Sequence, residues 1–314
     1  MRFEPISDAE YKQQMTAEIE ELKEKRNAII LSHNYQRDEI QEIADIHGDS
    51  LALAKAAAKT TSDVIVFCGV QFMAESASIL NPGKTVLLPV KEAGCPLAEM
   101  ASAEKVLAVK TKYPQAAVCC YINSSADVKA VSDVCCTSSN AVEVVRKMKE
   151  KEIIFLPDRN LGRYVQQNVP EKNIIIWPGF CITHMRLTDA EVLAAKQTHP
   201  DAEVIAHPEC EPEVLQYADC ITSTGGMFAY VKKSSKKKFI IATESGMLYR
   251  LREENRDKLF ILPSEHLVCA NMKMTTLGWV LHALQHMEYE VRVPAPLAEK
   301  ARRPLEKMFE LMAS

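Results

Sequence analysis

The sequence predicts an α/β protein of three similar modules around a pseudo-threefold axis, each with a short parallel sheet of four strands and helices on its faces. Two observations predict this class. Short β-branched segments alternate with amphipathic segments, which is typical of parallel strands joined by helical crossovers. Chemically similar residues also recur about every 87 residues along the chain, and a constant period indicates structural repeats.

The repeat keeps its spacing from one module to the next. Five series recur at spacings of 86 or 88 residues: Cys95, Cys181 and Cys269; His33, Tyr121 and His207; Tyr35, Asn123 and Glu209; Asp45, Asp133 and Asp219; and Ser50, Ser138 and Thr224. Chance similarity would lose this spacing over 314 residues. We therefore expect three αβα modules, at 1–114 with an N-terminal helix, at 115–200, and at 201–314 with a C-terminal helix.

Each module is expected to contribute four strands. The predicted strands are 28–31, a short strand around Ile46, 64–67 and 85–88; 118–122, 134–136, 153–156 and 173–176; and 203–206, 220–222, 239–242 and 259–262. Helices are predicted between them, among them 102–112, 140–151 and 161–168, and a C-terminal helix covers 296–312. Thr188 and Glu191 have the spacing of a capping box, which predicts the start of another helix.

Composition limits the possible locations and partners. The chain is 47% apolar and carries a net charge of −4, with a pI near 6.1, so it has no general attraction for nucleic acid. No apolar segment approaches the roughly 20 residues that span a bilayer, and the amino terminus lacks the basic start and apolar core of a secretory signal. We expect a cytoplasmic protein without nucleic-acid or membrane partners, whose ten cysteines are reduced.

The repeat brings polar residues to equivalent places. His33, Tyr121 and His207 each follow the first predicted strand of their module, and the repeated cysteines each follow the last one. In open parallel sheets, ligands bind beyond the carboxyl ends of the strands. Around a pseudo-threefold axis, these loops would point at one central cavity.

Three cysteines from separate modules would supply three thiolates to a metal centre and leave one coordination position free. A structural zinc or a fully ligated iron–sulfur cluster prefers four protein ligands, often in C-x-x-C pairs, and the chain contains no such pair. Cys95, Cys181 and Cys269 are therefore predicted to be metal ligands. An open position on iron acts as a Lewis acid and assists the loss of water, which suggests a dehydratase-like step. The adjacent cysteines at 119–120 and 135–136 are instead expected to be buried strand residues.

A second set of candidates lies where helices begin. Hydroxyl residues precede or open three predicted helices at equivalent positions, namely Ser50, Ser138, Ser223 and Thr224. Such residues cap helices, and exposed amides at helix starts attract anions. The pattern favours a substrate with several carboxylate or phosphate groups.

A third set pairs polar side chains at positions i and i+2 after the first strand. The pairs are His33 with Tyr35, Tyr121 with Asn123, and His207 with Glu209. Residues two apart on an extended segment lie on the same side. In a site with little water, histidine, tyrosine and glutamate act as general acids and bases when their pKa values are tuned. Glu209 is the best candidate for the base.

Several motifs in order along the chain resemble one enzyme family, the quinolinate synthases. The resemblance covers about 26–278 and rests on Ser32-His33-Asn34-Tyr35-Gln36, Gly48-Asp49-Ser50, Gly69-Val70-Gln71-Phe72-Met73-Ala74-Glu75, Gly94-Cys95-Pro96, Tyr121-Ile122-Asn123, His207-Pro208-Glu209-Cys210 and Ser223-Thr224-Gly225. It implies three αβα domains with a [4Fe–4S] cluster and the active site at their centre.

The resemblance also implies an activity. Members of the family condense iminoaspartate with dihydroxyacetone phosphate to quinolinate in NAD biosynthesis, releasing phosphate and water. Iminoaspartate is unstable, so the enzyme that supplies it is an expected partner. The implied ligands are Cys95, Cys181 and Cys269, and the implied active-site residues are His33, Tyr35, Ser50, Tyr121, Asn123, Ser138, His207, Glu209, Ser223 and Thr224.

Two other functions fit the same pattern. One is a different metal-dependent lyase or aldolase on this scaffold, and the other is a non-enzymatic iron–sulfur redox sensor. The chain contains no DNA-binding motif, and the metal content would separate a cluster from a single zinc.

Overall fold

Three parallel sheets of four strands organise the fold in the computed structural model, which describes residues 8–313. The strands are β1 Ala28–His33, β2 Ile46–Gly48, β3 Val64–Cys68 and β4 Thr85–Leu87; β5 Ala117–Tyr121, β6 Val134–Cys136, β7 Glu152–Leu156 and β8 Asn173–Ile176; and β9 Glu203–Ala206, β10 Cys220–Ile221, β11 Lys238–Ala242 and β12 Leu259–Ile261. Strand order is the same in every sheet: β2-β1-β3-β4, β6-β5-β7-β8 and β10-β9-β11-β12. The predicted fold class and all twelve strands are confirmed.

Helices cover the faces of these sheets. They are α1 Asp8–Arg26, α2 Asp38–Glu42, α3 Ser50–Lys59, α4 Gln71–Leu80, α5 Pro96–Glu99, α6 Ala103–Lys112, α7 Ala126–Ala130, α8 Ala141–Lys147, α9 Arg159–Asn168, α10 Ile182–Met185, α11 Asp189–Thr198, α12 Pro212–Leu215, α13 Thr224–Lys233, α14 Met247–Glu254, α15 Leu277–His286 and α16 Ala295–Ala313. A 3₁₀ helix, Met272–Met274, precedes α15. No helix within residues 8–313 is long and apolar enough to cross a membrane.

The three sheets share their register as well as their strand order. Equivalent residues pair between the first two strands of each module: Leu31 with Ile46, Cys119 with Val134, and Ile205 with Cys220. These pairs are 88 and then 86 residues apart, as the spacing of the repeat requires. The two cysteine pairs lie within β5 and β6 and are fully buried, as predicted.

The repeated aspartates explain part of this regularity. In each module one carboxylate oxygen accepts a hydrogen bond from a backbone amide of the first strand: Asp45 from Ile30 at 2.8 Å, Asp133 from Val118 at 2.7 Å, and Asp219 from Val204 at 2.8 Å. Each bond fixes the loop before the second strand against the start of the first. The spacing seen in the sequence therefore reflects a repeated structural contact.

Helix ends agree less closely with the sequence. The predicted capping box is present, since Thr188 accepts from the Glu191 amide and the Glu191 side chain accepts from the Thr188 amide. The helix predicted over 140–151 ends at Lys147, because Met148 is extended, with ψ of 146°. The chain needs this extended segment to enter β7.

The terminal helices lie against the first two sheets. α1 packs against α15, and apolar residues of both join a core with β1 and β3. α16 packs against α7 and β6, so that Leu305 and Met308 extend a core shared by the first two modules. The module boundaries at 114 and 200 stay a prediction.

Candidate active site

One cavity of about 210 Å³ lies at the carboxyl ends of the strands and is lined by all three modules. His33 ends β1, Tyr121 ends β5, and His207 follows β9 directly. The predicted site residues that line this cavity are His33, Tyr35, Ser50, Cys95, Tyr121, Asn123, Ser138, Cys181, His207, Glu209, Thr224 and Cys269. The structure therefore brings together every predicted residue except Ser223.

The three repeated cysteines lie where a loop enters a short helix. Cys95 and Cys181 are the residues before α5 and α10, and Cys269 precedes the 3₁₀ helix. All three are free thiols. Burial raises the pKa of Cys95 to about 12 and also raises the pKa values of Cys181 and Cys269. These thiols are neutral on their own, and ligation of a metal would deprotonate them.

A histidine that the repeat does not select lies beside one of these thiols. His184 Nδ1 is 2.8 Å from Glu209 Oε2 and 3.2 Å from Cys181 Sγ. The ligand atoms of Cys181, His184 and Glu209 all lie within 4.8 Å of one another. Sulfur, imidazole and carboxylate donors at this separation form a group able to bind a metal.

His184 also connects Glu209 to Tyr35. Thr243 Oγ1 lies 2.9 Å from His184 Nε2 and 2.6 Å from Tyr35 Oη. If Nδ1 of His184 donates to Glu209, its Nε2 accepts from Thr243, which in turn accepts from Tyr35. A continuous hydrogen-bonded chain therefore links the Tyr35 phenol to the Glu209 carboxylate.

The pKa values of three buried groups of the site, Glu209, His33 and His207, are lowered. Burial alone would raise the pKa of Glu209, but His207, His184 and Tyr121 outweigh it and lower the pKa to about 2. Burial lowers the pKa of both His33 and His207 to about 3, although Glu209 favours their charged forms. At neutral pH the site therefore holds an ionised Glu209 carboxylate and neutral imidazoles at His33 and His207.

The two tyrosines of the site keep their protons. Burial, with the nearby charge of Glu209, raises the pKa values of Tyr35 and Tyr121 well above their ordinary range. Both phenols are therefore hydrogen-bond donors at neutral pH. An ionised Glu209 is able to accept a proton, so its state is compatible with the predicted role of a base, which stays a prediction.

The helix starts are arranged differently from the prediction. Ser223 caps α13, accepting from the Gly226 amide at 3.2 Å, and it lies outside the cavity lining. Asp49 caps α3, while Ser50 is the first residue of that helix and faces the cavity. The Asn140 side chain does not cap α8. The predicted capping by a hydroxyl side chain is therefore observed at one of the three helices, α13.

Two helix starts from different modules approach each other closely. A Cβ atom at Gly225 would lie 2.8 Å from Asp49 Oδ2, so a larger residue at this position would require the Asp49 side chain to move. This contact sets the start of α13 beside that of α3. Thr224 and Ser50 then reach the same cavity.

Sequence reasoning missed several polar residues of the cavity wall, among them His184, Thr183 and Arg186. The positions equivalent to His184 in the other modules are Ala98 and Met272, so the repeat gives no signal for it. Its place three residues after Cys181, one helical turn away, is the only signal that would have identified it.

The residues of the cavity fit a bound metal group. Glu209 Oε1 and Asn123 Oδ1 are buried and have no hydrogen-bond partner among residues 8–313. Unpaired buried oxygens are costly unless something occupies the space in front of them. The cavity therefore offers three thiols and a histidine as ligands for a metal group. The two unpaired oxygens could accept hydrogen bonds from a substrate.

The low histidine pKa values predict a pH dependence of stability. Between pH 6.5 and about 3, His33 is protonated in the unfolded chain but neutral in the folded one. The unfolded state binds more protons there, so stability falls as pH falls, by about 1.4 kcal/mol per pH unit for one histidine. In metal-free protein, His33→Gln should reduce this slope by about that amount between pH 6.5 and 5, measured by urea unfolding. His286→Gln, at an exposed position, is the control, and equal slopes in all three proteins would contradict the prediction.

Comparison with known proteins agrees with the resemblance. Residues 17–310 match the family model described as Quinolinate synthetase A protein. The quinolinate synthases of Caldicellulosiruptor saccharolyticus and Geobacter sp. (strain M21) are each 54% identical to the chain, covering 94% and 95% of it and 97% of the relative. That of Thermodesulfovibrio yellowstonii is 50% identical over 94% of the chain and 98% of the relative. The chain therefore belongs to the quinolinate synthetase A family.

Proposed function

We propose that this chain is a quinolinate synthase that condenses iminoaspartate with dihydroxyacetone phosphate, releasing phosphate and water. Membership of the family supports the activity. The observation that carries the assignment to this site is the convergence of Cys95, Cys181 and Cys269 on one cavity that also holds Glu209 and its histidines. We propose that the cysteines hold a [4Fe–4S] cluster with one iron free of protein ligands.

The cavity suits small anions. Ser50, Ser138 and Thr224 present hydroxyl groups near the starts of helices from each module, where backbone amides favour negative charge. The substrates carry two carboxylates and one phosphate between them. We assign the three hydroxyl groups to these anionic groups, with His33, His207 and Asn123 binding carboxylate or carbonyl oxygens.

Proton transfer is assigned to the hydrogen-bonded chain that ends at Glu209. Tyr35 donates from one end, and Glu209 stabilises the positive charge that His184 gains when it takes up a proton. The eliminations and ring closure need such transfers at several atoms of the substrate. When bound, the cluster supplies a Lewis acid that assists the departure of a hydroxyl group as water.

The activity can be tested directly on protein purified without oxygen. With iminoaspartate and dihydroxyacetone phosphate present, the account predicts quinolinate and one phosphate for each quinolinate formed. Treatment with an iron chelator should remove the activity, and rebuilding the cluster should restore it. Protein that contains an intact cluster but forms no quinolinate would contradict the proposed function and favour a redox sensor.

Arg186 is expected to bind an anionic substrate group. Its side chain lines the cavity and forms no ion pair with another described residue. A charged hydrogen bond contributes about 1.5–3 kcal/mol, so Arg186→Gln should raise the KM for dihydroxyacetone phosphate about ten- to hundredfold, with a smaller change in kcat. Arg256→Gln, an exposed arginine away from the cavity, is the control. An unchanged KM in Arg186→Gln would contradict the expectation that Arg186 binds an anionic group of the substrate.

A further inference from the structure

Two fully buried carboxylates occupy equivalent places in the second and third modules. Asp158 and Glu244 are 86 residues apart, the spacing of Tyr121 and His207, and both side chains have zero exposure. Each follows the third strand of its sheet by two residues, because β7 ends at Leu156 and β11 at Ala242. Neither residue lines the cavity, so their burial needs another explanation.

Asp158 connects its strand to the segment that carries Cys181. Its Oδ2 accepts a hydrogen bond from the Cys181 amide at 3.1 Å. Its Oδ1 accepts from the Leu161 amide at 2.8 Å and so caps α9. Both oxygens are therefore used, one for the helix and one for the cysteine.

Glu244 makes the equivalent contact in the third module. Its Oε1 accepts from the Cys269 amide at 3.1 Å, and its Oε2 accepts from the Gly246 amide at 2.7 Å. Lys273 Nζ is 3.0 Å from Glu244 Oε1 and donates to the Tyr35 carbonyl at 2.6 Å. Lys273, which pairs with Glu244, thus joins the Cys269 segment to the loop of Tyr35 from the first module.

The first module lacks this carboxylate. The equivalent position is Val70, two residues after β3, and it lines the cavity. The segment before Cys95 is held instead by a bond from the Gln71 amide to the Ala93 carbonyl at 2.8 Å and by Asn271 Nδ2 to the Gly94 carbonyl at 2.8 Å. Two of the three cysteines are therefore fixed by buried carboxylates and the third is not.

We propose that Asp158 and Glu244 are positioning residues that orient Cys181 and Cys269 for ligation through the backbone amides of those cysteines. The inference rests on the proposed function in taking these cysteines as ligands. Only a carboxylate offers two equivalent acceptor oxygens to two buried amides, whereas asparagine or glutamine offers one oxygen and turns an NH₂ group toward the other amide. An unsatisfied buried amide destabilises the loop geometry that holds it. Groups that orient metal ligands typically change metal affinity 10–100-fold when replaced.

The first test measures loss of iron to a chelator from protein purified without oxygen. Asp158→Asn and Glu244→Gln should each lose iron about 10- to 100-fold faster than the unaltered protein. Asp158→Ser separates the two roles of this residue, because serine still caps α9 but is too short to reach the Cys181 amide as well. It should also lose iron rapidly.

The matched control is Asp219→Asn. Asp219 also accepts a backbone amide hydrogen bond at 2.8 Å, but from Val204 rather than a cysteine. Its iron loss should stay within about twofold of the unaltered protein, since it does not touch the cysteine segments. The inference would be overturned if the Asp158 and Glu244 variants lost iron no faster than the unaltered protein. It would also be overturned if Asp219→Asn lost iron as fast as they do.

A second readout does not depend on the cluster. In metal-free protein, amide hydrogen exchange should increase at Cys181 in both Asp158 variants and at Cys269 in Glu244→Gln, with no change in Asp219→Asn. If the unaltered protein holds no iron, the proposed function fails, yet this exchange still tests the positioning contacts. Unchanged exchange at both cysteines would overturn the inference whatever the iron content.

Discussion

Each of the single substitutions Cys95→Ser, Cys181→Ser and Cys269→Ser is expected to abolish the cluster and to lower quinolinate formation at least about a thousandfold. The three thiols line one cavity, and a serine hydroxyl is a poor replacement for a thiolate on iron. A Lewis acid contributes several kcal/mol to the transition state, and each 1.4 kcal/mol changes the rate about tenfold. Iron, sulfide and quinolinate should be measured on the same anaerobic samples.

Other cysteines of the chain provide the controls. Cys220 is partly buried, like the three candidate ligands, but lies on β10 outside the cavity lining. Cys119 and Cys136 are fully buried strand residues. Cys220→Ser, Cys119→Ser and Cys136→Ser should retain iron and activity in the folded protein. Equal damage from all six substitutions would contradict the assignment of the ligands.

Glu209→Gln is expected to lower kcat by about 10²- to 10⁴-fold while the cluster remains bound. The substitution removes the negative charge 2.8 Å from His184 Nδ1. The glutamine side chain keeps one acceptor oxygen for His184 Nδ1 but has no negative charge to stabilise His184 when it takes up a proton. The measurement is steady-state kinetics on samples matched for iron content.

Glu211→Gln is the matched control for this substitution. Glu211 lies two residues further along the chain and pairs with Arg159 and Arg163, and it does not line the cavity. Its kcat should change by less than about threefold, as expected for a group outside the reaction. A Glu209→Gln protein with full iron and nearly normal kcat would contradict the proton-transfer role.

Most of the fold could be predicted because the chain repeats itself. The β-branched segments identify the central strands, and the constant spacing shows that three sheets share one register, as the pair Leu31–Ile46 and its equivalents demonstrate. Most of the candidate site could be found for the same reason. When similar modules are arranged symmetrically, residues at equivalent positions in each module lie around the same central cavity.

The repeat could not identify contacts that break the symmetry. His184 has Ala98 and Met272 at its equivalent positions, and Asp158 has Val70 in the first module. The carboxylate-to-amide bonds join residues 23 and 25 positions apart, and no local pattern specifies such partners. The cap at α3 differs for a local reason, because Asp49 and Ser50 are both good capping residues and only the backbone decides which one precedes the helix.

The most direct test of the central claim is the iron and acid-labile sulfide content, with the absorption and EPR spectra, of the full chain purified without oxygen. The account predicts about four irons and four sulfides per chain, with spectra that change when substrate or product analogues bind. A protein that contains no iron, or one zinc per chain in place of the cluster, would contradict it.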